Sequence, residues 1–306
     1  MPHLFDKRLL LVTGKGGVGK STVALALGSA AAERGKRVIV CEVASQEHAS
    51  RVFRRSDVGF HEVEVADGLW TISIDPDQSL REYLVLQSPV KAMGQLLSRS
   101  RILAYLAAAT PGLKELVTIG KIWELAQLDR KVKKGRKYDL VVVDAPATGH
   151  GIGFLQTPRT FAGIARVGPI HNQAETLDRF ITDHRQTGAV IVALPEEMPV
   201  NESELLEREL TGPLGISVDR VYMNALYPER FSEPDAERLS EAADAVDGGA
   251  RAAVKAALSE RRRAVAQRGQ LERLRRLVEA PVSTLPFIFE PELGVAEIQR
   301  LSAEVA

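Results

Sequence analysis

The chain has 306 residues, room for one large α/β domain with a helical insertion or for two smaller domains. Its 40 basic and 40 acidic residues cancel, so nothing global points to nucleic acid, and its hydrophobic share of 45% is that of an ordinary globular protein. No apolar run reaches the roughly 18 residues of a membrane span, and the single cysteine, Cys41, can form neither an internal disulfide nor a cysteine zinc site, which fits a reducing cytoplasm.

The first predicted element is an apolar strand over residues 9–14, too short to be a signal peptide. It runs into Gly14-Lys15-Gly16-Gly17-Val18-Gly19-Lys20-Ser21-Thr22, which satisfies the phosphate-loop pattern G-x-x-x-x-G-K-[ST]. A helix-forming run, 23–33, follows, so the context is strand, loop, helix. Glycines let successive backbone N–H groups turn inward around phosphates. Lys20 is expected at the β- and γ-phosphates and the Ser21 hydroxyl on Mg2+, with the helix N-terminus adding positive potential. The expected ligand is Mg-ATP. Lys15 is a second cation beside Lys20, costly there unless it faces another anion.

Further strands are predicted at 38–43, 69–75, 139–145, 189–194, 218–224 and 282–289. Most are continuous apolar runs without alternation, the pattern of strands buried on both faces. The fold class is therefore α/β, a doubly wound, mostly parallel sheet flanked by helices. Cys41 falls in the second strand and reads as a buried apolar residue. Residues 78–134 are too long for a simple crossover and predict an inserted helical subdomain, to which about 159–185 are expected to contribute; residues 1–306 otherwise read as a single domain. Within it, Leu113, Leu116, Val117, Ile119, Trp123 and Leu128 lie near helical spacing after a break at Pro111-Gly112. Trp123 and its neighbours read as core more readily than as a binding groove. Asp144 closes the apolar run 140–143, where a carboxylate facing the phosphates belongs as a second magnesium contact or as the holder of an ordered water. Gly149 is placed to offer an N–H to a γ-phosphate. Asn201, with Glu204 three residues on, reads as a helix N-cap. Residues 234–279, interrupted at Gly248-Gly249, read as helices on the outside of the sheet, with the charges at 260–263 on a solvated face.

The loop at 14–22 resembles the deviant phosphate loop of dimeric ATPases that include the division-site-selecting and nitrogenase-iron-protein groups. The run D-A-P-A-T-G-H-G-I-G-F-L-Q-T-P at 144–158 is similar to a signature of the arsenite-pump and tail-anchored-protein-targeting ATPases, and residues 194–210 also match that branch. The stretches at 111–116 and 167–170 look closest to short, single-ATPase-domain relatives from actinobacteria, known as anion-transporting ATPases. The resemblance implies a cytoplasmic dimer, homodimer or heterodimer with a related subunit, that binds ATP and ADP. It implies that Lys15 reaches the partner's nucleotide, that Lys15, Lys20 and Asp144 carry catalysis, and that Asn224 reads the adenine beside a loop holding Pro286 and Phe287. A client, membrane protein or other, would engage the helical subdomain.

The sequence also departs from that family. Ala44 stands where the family's first switch has the Asp that positions the attacking water; Glu42 and Glu47 are the nearby carboxylates. Alanine cannot orient or deprotonate water, so hydrolysis by the chain alone is expected to be slow. The alternative is an ATP-binding regulatory subunit that needs a paralogous partner. With one cysteine, neither a metalloid site nor a zinc site is expected, and Met93 is the only methionine of the helical region.

Overall fold

The computed structural model describes residues 4–43, 48–87, 110–130, 136–164 and 167–305. Ala44, Glu47 and Met93 lie outside the described residues, as does 88–109, the middle of the predicted insertion.

Eight strands form one sheet: β1 (Leu9–Gly14), β2 (Val38–Val43), β3 (Val63–Ala66), β4 (Leu69–Ile74), β5 (Leu140–Asp144), β6 (Thr187–Ala193), β7 (Val218–Leu226) and β8 (Val282–Pro286). Their order is β3-β4-β2-β5-β1-β6-β7-β8. Every pairing is parallel except β3 with β4. The doubly wound, mostly parallel α/β sheet is thus what the apolar runs predicted. The edge strand β3 was not predicted: Val63-Glu64-Val65-Ala66 is short, and its burial alternates.

The described helices are α1 (Lys20–Ala32), α2 (His48–Val52), α3 (Pro76–Gln87), α4 (Leu113–Ala126), α5 (Thr148–Ile164), α6 (Pro169–Thr182), α7 (Glu197–Thr211), α8 (Glu233–Ala245), α9 (Gly248–Leu277) and α10 (Val295–Glu304). Side chains alternate along each central strand, and two apolar layers result. Leu9, Leu11, Ile39, Cys41, Val141, Val143 and Ile191 form one layer with residues of α4, α5, α6, α7 and α9. Leu10, Val12, Val38, Val40, Val142, Val190 and Val192 form the other, with residues of α1 and α10. Each such side chain contributes about 1.5–3 kcal/mol when fully buried, so the central strands anchor whatever stands at their ends.

Two local expectations need correction. Asn201 is not an N-cap. The helix begins earlier, at Glu197, with Pro199 inside its first turn, where proline gives up an N–H that has no intrahelical partner. Asn201 Oδ1 instead accepts from Arg273 Nη2 at 2.7 Å, tying α7 to α9. Leu128 is not on the α4 stripe either, because α4 ends at Ala126 and Leu128 is exposed.

Candidate nucleotide-binding site

The strand order reverses around β1: the chain crosses from β1 to β2 on one side, returns to β5 between them, then continues to β6 on the other side. Ligands of open α/β sheets bind in the crevice outside the carboxyl ends of strands at such a reversal. The glycine loop lies there.

Only glycine fits two of its positions. Gly14 has φ +144°, and a Cβ on it would meet the Val192 carbonyl oxygen of β6 at 2.3 Å. Gly19, at the N-cap of α1, has φ +91°, and a Cβ there would meet Asn224 Nδ2 at 2.4 Å. Lys20 opens α1 and is buried. Its Nζ donates to the Lys15 carbonyl oxygen at 3.1 Å, so the side chain folds back across the loop. Burial lowers its pKa, and the Asp144 carboxylate opposes that shift. A cation so desolvated gains from an approaching phosphate more than a solvated one does.

Ser21 Oγ donates to Asp144 Oδ2 at 2.5 Å, which brings the two expected magnesium ligands together. Asp144 is 1% exposed, and burial raises its pKa in spite of the Ser21 hydrogen bond and the Lys20 charge. Its other oxygen, Oδ1, is buried without a hydrogen-bond partner. A hydroxyl and an under-satisfied carboxylate are hard oxygen donors of the kind Mg2+ takes, so the residues present fit that ion.

Glu42 stands beside Asp144 as its register partner on β2. Glu42 is buried as well; Oε1 accepts the Ala49 N–H at 2.7 Å, and Oε2 has no hydrogen-bond partner. Desolvation pushes its pKa up to about 7. His48, at the start of α2, has Nε2 3.3 Å from Thr22 Oγ1. Neither His48 nor the packing of α2 against α1 was foreseen.

Lys15 is held elsewhere. Its Nζ is 2.6 Å from Glu202 Oε1 on α7, in an ion pair about one-third exposed at each end. Asn224, on β7, comes against the loop. Its Nδ2 donates to the Val18 carbonyl oxygen at 2.9 Å and its Oδ1 accepts the Ala225 N–H at 2.9 Å. Pro286 ends β8, and the Phe287 N–H donates to the Leu226 carbonyl oxygen at 2.8 Å. The Phe287 ring stacks on Tyr227 with centroids 4.8 Å apart, and Phe289 sits edge-on to both. Arg263 caps Tyr227 and Arg230 caps Phe289. Phe287 and Phe289 fall in the run 286–294, which resembles the family's adenine-side loop; Tyr227, three residues after Asn224, was not foreseen. Gly149 lies in the first turn of α5, just after Asp144.

Away from the loop, α3, α4 and α6 enclose a cavity of about 370 Å³. Leu116, Trp123, Ile170 and Leu177 line it, with Lys121 and Glu124. Trp123 packs on the core with part of its surface and faces the cavity with the rest. Cys41 is fully buried in β2, and burial pushes its thiol up. No helix among the described residues is long and apolar enough to cross a membrane.

The family model described as "Anion-transporting ATPase" matches residues 7–173 and 163–246. The chain is 32% identical over 261 residues to the ATPase BagA of Mycobacterium tuberculosis, covering 81% of this chain and 74% of that protein. It is 26% identical over 265 residues to the ATPase get3 of Neurospora crassa, covering 74% and 75%. It is 26% identical over 244 residues to the arsenical pump-driving ATPase of Acidiphilium multivorum, covering 74% of this chain and 41% of that longer protein. With a glycine loop closed on Lys20, a Ser21–Asp144 pair behind it and a family match across most of its length, the chain belongs to the anion-transporting ATPase family.

Proposed function

We propose that this chain hydrolyses Mg-ATP as a dimer whose two nucleotides meet at the subunit interface, and that opening and closing of the dimer is coupled to a client through α3, α4 and α6. The observation that carries this reading is the division of labour between the two lysines. Lys20 is buried across its own loop, whereas Lys15 is bound at the surface by Glu202. Met198, Glu202 and Leu205 follow one another at helical spacing on α7, and both apolar members are exposed. A second copy covering that face would bury them and bring its own Lys15 to the facing nucleotide.

Within one site the roles follow from placement. Backbone N–H groups of 14–22 and the N-terminus of α1 bind the phosphates, and Lys20 neutralises the β- and γ-oxygens. Ser21 and Asp144 would hold Mg2+, which neutralises charge on the transferring phosphoryl group when bound. Asn224, Pro286 and Phe287 stand where the adenine would lie. Ala44 removes the side chain expected to position water, so turnover by the chain alone is slow. That same substitution favours a second reading, an ATP-binding subunit completed by a related catalytic chain. The cavity between α3, α4 and α6 supports a small or narrow apolar client, and the lone buried cysteine argues against a thiol-bound metalloid cargo.

Replacing Lys20 with Ala tests nucleotide binding directly. Loss of a charge-assisted phosphate contact should weaken Mg-ATP binding by about 1.5–3 kcal/mol. Calorimetric titration would show it, and an unchanged affinity sinks the assignment.

A further inference from the structure

The Ser21–Asp144 pair does not account for every buried oxygen near the loop. Strands β2 and β5 run parallel with Glu42 opposite Asp144. Val38 and Val40 of β2 and Val142 of β5 pack in the layer that contains α1, so by alternation Glu42 and Asp144 project to that same side. Each is 1% exposed, and each has one carboxylate oxygen in a hydrogen bond and one without: Glu42 Oε2 and Asp144 Oδ1. A buried charge is costly unless paired or placed against a metal. If Glu42 served only to hold α2, its bonds to the backbone at His48 and Ala49 would suffice, and an uncharged Gln oxygen would accept them without the desolvation cost.

We propose that Glu42 is a second carboxylate at the magnesium position, with Oε2 holding one of the cation's waters while Oε1 anchors the start of α2. This rests on the Mg-ATP reading above and deepens it. Mg2+ usually keeps several waters and binds through one or two carboxylates, which suits one direct ligand, Asp144, and one through water. Glu42 is then a positioning residue. Glu42, which holds α2 through Oε1, would be fixed by a bound cation through Oε2, and α2 carries His48 against Thr22 of the loop. The nucleotide state would thereby be communicated to α2 through a carboxylate two residues before Ala44 in sequence.

The test is metal affinity, read by Mn2+ electron paramagnetic resonance in the presence of ADP, alongside ADP binding in excess chelator. Glu42→Gln keeps the bond to Ala49 and removes the charge. It should weaken Mn2+ binding by about tenfold to a hundredfold, the range seen when outer-shell partners are lost, and leave metal-free ADP binding unchanged. Wild-type Mn2+ affinity in Glu42→Gln overturns the proposal and leaves the Mg-ATP reading standing. Absence of metal-dependent ADP binding in the unaltered chain overturns both. Should melting curves show Glu42→Gln unfolded, Glu42→Asp carries the test. It keeps the charge but draws it back, so weakened Mn2+ binding with intact metal-free ADP binding supports the role, and unaltered Mn2+ binding removes it.

Discussion

His48 shows how a single residue can set a condition on the site. Its ring nitrogen meets Thr22 across the start of α1, and burial, with the nearby Arg51 charge, lowers its pKa from 6.5. The folded chain therefore disfavours the imidazolium more than the unfolded chain does. The linked stability is present in full above the unfolded value, and it is lost as pH falls through that value toward the folded one. We expect His48→Gln, which keeps a polar partner for Thr22 but does not titrate, to gain melting temperature relative to the unaltered chain on going from about pH 7.5 to about pH 5.5. Parallel pH curves for the two proteins would mean that His48 is solvated and that α2 does not depend on its neutral form. The comparison with the variant matters, because buried carboxylates such as Glu42 and Asp144, with raised pKa values, contribute in the opposite sense: their ionisation costs stability as pH rises.

At the scale of elements, α3 and α4 are fastened to the sheet by charge as well as by apolar packing. Arg130, 1% exposed, makes two bonds to Glu62 just before β3 and two to Glu124 of α4. Tyr138, just before β5, donates to the same Glu62 at 2.7 Å, and Lys121 links Glu124 to Glu82 of α3. Removing one member of a buried set leaves the others uncompensated, so Arg130→Met should destabilise the chain by about 3–5 kcal/mol. Lys114→Ala, which removes an exposed pair with Asp77, should cost less than about 1 kcal/mol. Denaturant midpoints would separate the two, and similar small shifts would mean that Arg130 is not structurally required. Little of this network is legible in the sequence, where Glu62, Glu124 and Arg130 look like ordinary surface charges. The central strands are legible because burial on both faces leaves a continuous apolar run, and β3 is not, because a short edge strand with one wet face leaves none. The loop and Asp144 are legible for a related reason: their chemistry follows from local backbone geometry at a strand end. The Lys15–Glu202 pair joins residues 187 apart, and the Asn224–Val18 bond residues 206 apart. No local pattern encodes the Lys15–Glu202 pair. Family resemblance placed Asn224 at the nucleotide but not against the loop.

For the whole molecule, the decisive question is whether Lys15 serves its own site or a partner's. Its bond to Glu202 is a partly exposed surface pair, and such pairs hold by about 0–1 kcal/mol. A phosphate facing it across an interface is a stronger partner, so the Glu202 contact does not prevent exchange. Two defective chains can answer the question. Lys15→Ala keeps its own phosphate loop and Lys20 but has no lysine to give; Lys20→Ala has an impaired site but an intact Lys15. Each alone should turn over ATP far more slowly than the unaltered chain. If Lys15 acts across the interface, a dimer of one chain of each kind holds one complete site, in the Lys15→Ala subunit. Random pairing in an equal mixture makes half the dimers mixed, so about a quarter of the unaltered activity should return. The recovered activity should also rise with total protein concentration, as a dimerisation equilibrium requires. The slow basal rate expected from Ala44 affects the reference and the mixture alike, so the ratio survives it. A mixture no more active than its components, under conditions where the unaltered chain is dimeric, would place Lys15 in its own site and remove the shared-interface mechanism.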